Sequence, residues 1–109
     1  MQFRVRPLDG GPARVASKLA FADRDGTLAT LTLDRPGGLT VWEKRTDTDR
    51  TIDGIGIDPA AELVAQLLHR YREASLVVYT TPGSRLRGDE TETADVYPPS
   101  KQPRIDVQR

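Results

Sequence analysis

The sequence predicts an α+β fold: an antiparallel sheet of about five to six strands, one amphipathic helix packed on one face, and an extended C-terminal tail. Three observations carry this. Ala60, Leu63, Val64, Leu67, Leu68 and Tyr71 recur at the spacing of one stripe on a 3.6-residue helix. The stretch before them breaks into short alternating segments separated by turns rich in Gly, Pro and Asp. From Pro82 onward, charge and proline replace periodicity.

Gln2 to Pro7 alternates, with Phe3 and Val5 on one side and Arg4 and Arg6 on the other. Pro7 ends that strand because it offers no amide to a ladder. Asp9 to Pro12 is a loop by composition. Val15 to Ala22 reads as one strand, with Val15, Leu19 and Phe21 inward and Ala16, Lys18 and Ala20 outward. Asp23 to Gly26 is a hairpin connection, with Gly26 free to take a positive φ. In Thr27 to Asp34, Leu31 and Leu33 share a face and Leu28 is out of phase, which points to a bulge or a late start. Arg35 to Gly38 reverses the chain. Leu39 and Val41 then face inward, and Thr40, Trp42 and Lys44 outward. Thr46 to Thr51 reads as a polar loop, and Ile52 to Ile57 as a glycine-interrupted strand entering the helix.

Asp58 is the expected N-cap of that helix and Pro59 its first residue. Glu62 lies near its positive end, and Arg70 and Arg72 near its negative end. After it, Leu76 to Thr80 is apolar enough for a strand covered on both faces, placed centrally or beside the strand that precedes the helix. The domain is expected to span 1–81, and 82–109 to be an extended interaction tail whose apolar anchors are Val96, Tyr97, Ile105 and Val107. Free in solution, such a tail is expected to be mobile.

Composition removes several function classes. The chain has 109 residues, enough for one domain. Sixteen basic residues balance sixteen acidic ones, so no global field steers it toward nucleic acid or membrane. There is no cysteine, which excludes disulfides, thiolate catalysis and cysteine-held metals. Met1 to Arg6 lacks the apolar stretch of a signal peptide, and no run reaches transmembrane length. The expectation is a protein of the cytoplasm, or of a particle assembled there, without a membrane and without a cofactor.

Motifs for catalysis are weak. His69, the one histidine, has Glu73 and Gln66 beside it on a polar helix face, which an i,i+4 surface pair explains without a metal. No serine lies in a nucleophile-elbow context. Gly10-Gly11 and Gly37-Gly38 lack the Lys-Ser/Thr of a phosphate cradle, and Asp23 to Gly26 lacks the later ligands of a calcium loop. Carboxylates are plentiful, but the sequence gathers no pair into a cleft.

The candidate contact residues lie elsewhere. Alternation sets Arg4, Arg6, Lys18, Trp42 and Lys44, with Thr30, Thr32 and Thr40, on the side away from the helix. An aromatic ring among cations suits a protein interface, where Trp and Arg are enriched. It also suits stacking on single-stranded nucleic acid. The alternative for Trp42 itself is packing beneath the tail or a bulge that returns it to the core. Tyr97, Ile105 and Val107 are the expected tail contacts, with Ile105 and Val107 able to add a strand to a neighbour's sheet.

Strands that run into a helix through Gly54-Ile55-Gly56-Ile57-Asp58-Pro59 are similar to the single-stranded-DNA-binding transcriptional coactivator family over about residues 27–71. The resemblance implies a four-stranded sheet, a covering helix and a dimer. A strand after the helix and a neutral charge depart from that pattern. The sequence thus leads to a non-catalytic interaction or assembly protein, for example a small virion component or an inhibitor or immunity-type binder. It would have a protein partner or self-associate. A single-stranded nucleic-acid-binding module is the alternative, and a carboxylate enzyme the third reading.

Overall fold

Alternating short segments become nine strands in two antiparallel sheets, in a computed structural model that describes residues 1–34, 37–80 and 93–109. The strands are β1 (Gln2–Arg6), β2 (Arg14–Ala16), β3 (Lys18–Asp23), β4 (Gly26–Asp34), β5 (Gly38–Glu43), β6 (Thr48–Ile52), β7 (Ser75–Thr80), β8 (Thr93–Tyr97) and β9 (Arg104–Gln108). Helix α1 (Ile57–Arg70) lies between β6 and β7, and a 3₁₀ turn, Pro99–Lys101, between β8 and β9. The larger sheet has the order β6-β5-β4-β3-β7-β8 and the smaller β2-β1-β9. The α+β class therefore holds.

One core joins the sheets and the helix. Leu19 and Phe21 of β3, Ala29 and Leu31 of β4, Leu39 and Val41 of β5, and Leu76 and Val78 of β7 form the inward face of the large sheet. Phe3, Val5 and Ala16 of the small sheet and Ala60, Val64 and Leu67 of the helix belong to the same cluster. Helix and small sheet thus lie side by side, with β9 against α1, and together cover one face of the large sheet. A buried Leu or Phe contributes roughly 1.5–3 kcal/mol relative to leaving it in water, so these positions dominate the fold's stability.

The helix begins two residues earlier than expected. Gly56 is its N-cap, without a side-chain cap, and the Ala60 amide bonds the Gly56 carbonyl at 3.1 Å. Asp58 and Pro59 fall within the first turn. There a carboxylate still complements the helix dipole, and a missing amide is one of the four without an intrahelical partner.

Val15 to Ala22 is two strands and not one. Ser17 carries the chain from the small sheet to the large one, its carbonyl accepting the Leu33 amide at 2.8 Å. The crossing reverses the phase: Ala16 is buried and Val15 exposed. The polar Thr48–Ile52 segment is a strand, because alternation there sets Ile52 beside Leu39 and Arg50 beside Val41. Its loop is shorter, and Asp47 at φ 49° supplies the left-handed turn residue. Ile52 to Ile57 is correspondingly no strand beyond Ile52; Gly54 turns at φ 67° and the Ile55 amide bonds the Gly37 carbonyl. The Leu28 bulge is present, since Phe21 faces Ala29 while Ala22 faces Thr27. β7 is central, between β3 and β8, and does not meet β6.

Residues 93–109, expected in a free tail, lie in the sheets. β8 pairs with β7, and β9 with β1. Tyr97 faces Leu76, Ile105 faces Val5 and Val107 faces Phe3, and all three pack against the core. The added strand that Ile105 and Val107 were expected to offer a neighbour is made within the chain, where loop closure costs less than association. Gln102 also donates to the carbonyls of Tyr71 and Ala74, at 3.4 and 2.7 Å, just beyond the helix. The expected domain end near Thr81 and the acidic stretch from Asp89 to Glu92 lie outside the described residues.

Candidate interaction surface

The large sheet's second face has no covering layer among the described residues. Two ladders cross it from edge to edge. Asp49, Trp42, Thr30, Ala20, Val77 and Val96 form one, and Thr51, Thr40, Thr32, Lys18, Tyr79 and Ala94 the other. β-Branched and aromatic residues suit such a pleated surface because neighbours across strands pack their side chains. Trp42, Thr30, Val77 and Tyr79 are half-buried by one another, and Ala20, the smallest among them, is buried. Val96 is 63% exposed, so apolar surface reaches the edge of the sheet.

Polar contacts hold this face in place. Trp42 Nε1 donates to Asp47 Oδ1 at 3.3 Å, which pins the indole against its own hairpin. Thr40 Oγ1 donates to Asp34 Oδ2 at 2.6 Å and lies 3.0 Å from Thr51 Oγ1. The Lys18 ammonium sits 4.9 Å from the Tyr79 ring centroid, a cation–π contact. Trp42 is therefore on the outward face, and neither the described C-terminal residues nor a bulge returns it to the core.

The expected basic residues do not assemble. Lys18 lies on this face, and Lys44 follows β5 at its end, exposed, with its amide bonded to the Leu28 carbonyl. Arg4 and Arg6 lie in the small sheet, where Arg4 faces Val15 and Asp106, and Arg6 faces Arg104. Arg6 pairs with Asp106 at 3.1 Å, and Arg4 Nε is buried without a hydrogen-bond partner among the described residues. Alternation had set them beside Trp42 because a strand's phase does not reveal which sheet it joins.

A buried charge cluster escaped the sequence reading. Glu43 ends β5 on the inward face, only 7% exposed, beneath the end of α1. Its Oε1 accepts from Arg70 at 2.7 Å, Tyr71 Oη at 2.7 Å and Arg45 Nε at 3.1 Å. Burial alone raises a carboxyl pKa; the donations from Tyr71, Arg70 and Arg45 outweigh it and hold Glu43 at about 2. The Tyr71 hydroxyl is shifted up, by burial and then by Glu43, and its ring stacks on Phe21 at 5.2 Å. The signal was available: residues 39, 41 and 43 alternate inward, and 70 and 71 close the helix stripe. With three donors on one oxygen, Glu43 ties the helix end to the sheet.

His69 is exposed on the polar side of α1. Among the described residues, no three His, Asp or Glu side chains are placed to hold a metal ion, and no helix is long and apolar enough to cross a membrane. Comparison with protein-family models, with curated proteins and with solved structures found no match, so no family match accompanies the resemblance of the strand-to-helix segment.

Proposed function

We propose that this is a non-catalytic binding protein that recognises another protein, or a second copy of itself, through the outward face of the six-stranded sheet around Trp42 and Val77. The observation that carries the reading is the asymmetry of that sheet. One face is buried under helix and small sheet, while the other presents Trp42, Val77, Tyr79 and Val96 among threonines with no layer over them among the described residues. Aromatic and aliphatic anchors ringed by small hydroxyl side chains fit the centre and rim of a protein interface. Among the described residues Glu43 is the one buried carboxylate, and its Oε1 accepts from all three donors, which supports a structural and not a chemical role for it.

The nucleic-acid alternative draws on the same indole without its cations. Around Trp42 stand Asp34, Asp47 and Asp49 as well as Lys18 and Lys44, so the surface has no positive excess with which to meet phosphates.

Affinity capture with the immobilised full chain, beside Trp42→Ala and Val77→Lys variants shown to unfold at the wild-type temperature, tests the proposal. A partner recovered by the wild type, or self-association seen in sedimentation, is expected to weaken at least about tenfold in both variants. Equal recovery and equal association in all three proteins would overturn it.

A further inference from the structure

A second surface lies on the other side of the sheet's edge. Ile52, Ile55, Pro59 and Leu63 line a groove of about 360 Å³ between β6 and α1. Arg50 stands at its wall and also borders an adjoining cavity of about 290 Å³ that reaches Glu43 and Arg45. β6 is the last strand of its sheet, held by β5 on one side, and among the described residues nothing pairs with the other. An edge strand leaves about half of its amides and carbonyls aimed outward, which is a template for a further strand.

The charges on β6 select the occupant. Joining two copies edge to edge with their faces aligned requires opposed residues of equal parity, because side chains alternate along a strand. Full overlap of Thr48–Ile52 with itself sets Arg50 against Arg50. A slip of one alternation in either direction sets Asp49 against Asp49 or against Asp53. Like charges directly opposed destabilise a pair, so the partner strand is a different chain.

That chain's composition follows from the groove. Arg50 has no ion pair among the described residues, whereas Arg45 and Arg70 share the single carboxylate of Glu43. Asp49 also borders the adjoining cavity but alternates to the Trp42 side of the sheet, and Glu62 lines the groove from the helix, so the cation left unpaired on this face of β6, among the described residues, is Arg50. The next position on the same face of β6 is Ile52, which with Leu63 offers apolar contact.

We propose that the groove between β6 and α1 receives an extended peptide of a partner protein. It adds as a strand to β6 and sets an acidic side chain against Arg50 and an apolar one, two positions away, over Ile52 and Leu63. This surface is separate from the Trp42 face, and either can fail without the other.

A phage-displayed library of random unconstrained peptides, panned on the immobilised full chain, supplies the probe. Selected peptides, synthesised with a fluorescein label, are titrated against the wild type, Arg50→Glu, Arg50→Ala and Trp42→Ala by fluorescence polarisation. The expected result is enrichment of an acidic and an apolar residue two positions apart. Arg50→Glu then weakens binding at least about tenfold, Arg50→Ala by less, and Trp42→Ala by under about twofold. Bound peptide also slows amide exchange across Thr48–Ile52. Failure to enrich that pattern, or peptides indifferent to Arg50→Glu, overturns the proposal. Peptides lost with Trp42→Ala instead overturn the groove and support the outward face. Arg50 is exposed, so both substitutions leave the core intact, and thermal unfolding checks this.

Discussion

At the residue scale, Glu43 shows how a buried charge is held by geometry. Glu43 itself is buried, while the guanidinium groups of Arg45 and Arg70 that compensate it keep contact with water. The sign of its pH dependence follows from its lowered pKa. The folded state binds a proton at Glu43 only near pH 2, the unfolded chain already at about 4.3. Its contribution is therefore fully present above the unfolded value and is lost as pH falls toward 2. Arg45 and Arg70 are about half exposed, so solvent screens the cluster and the contribution is about 2 kcal/mol. Glu43→Gln is expected to lower stability at neutral pH by about that amount. It also flattens the decline between about pH 5 and 2. Urea unfolding across that range checks both; parallel declines in the two proteins would show that other groups set the acid limit.

Elements differ in how far the sequence determines them alone. Helix α1 was legible because six apolar residues at one period leave no competing reading, and its cap was misplaced because Gly56 does with backbone alone what Asp58 is chemically equipped to do. β6 was hidden because its residues, at the rim of the sheet, are mostly exposed and polar; only Ile52 carries the inward signal. β9 was hidden for a different reason. Alternating Ile105 and Val107 was visible, but the strand it meets lies at the other end of the chain, and no local pattern reports so distant a pairing. Glu43 and the uncovered Trp42 face share that limit, since both depend on which sheet a strand joins. A truncation ending at Thr81 tests β9 directly. It would uncover Phe3 and Val5, both fully buried, and take Gln102 from the Ala74 carbonyl. Exposing two such side chains costs roughly 3–6 kcal/mol, a large share of the stability of a domain this size. The truncated chain is expected to lose its cooperative thermal transition in circular dichroism, whereas a transition like that of the full chain would make the C-terminal strands dispensable.

At the scale of the molecule, the decisive feature is how two sheets divide the charge. Basic and acidic residues are equal in number, so any affinity for phosphate must come from local clustering. Of the four cations expected around Trp42, the fold sends Arg4 and Arg6 to the small sheet, while Lys18 and Lys44 stay with the large one. The two groups lie on opposite sides of the buried layer that contains Phe3, Leu19 and Leu31. Sheet packing puts such faces at least about 10 Å apart, a full screening length at moderate salt. One strand of nucleic acid cannot use both groups at once. Near Trp42, Asp49 adds repulsion to the ladder in which the indole sits. Fluorescence polarisation with labelled oligothymidylate at low salt is therefore expected to show no saturable binding, and Trp42→Ala to change nothing. Saturable binding that weakens steeply with added salt and again on Trp42→Ala would mean that stacking outweighs the missing cations, and would return the outward face to nucleic acid.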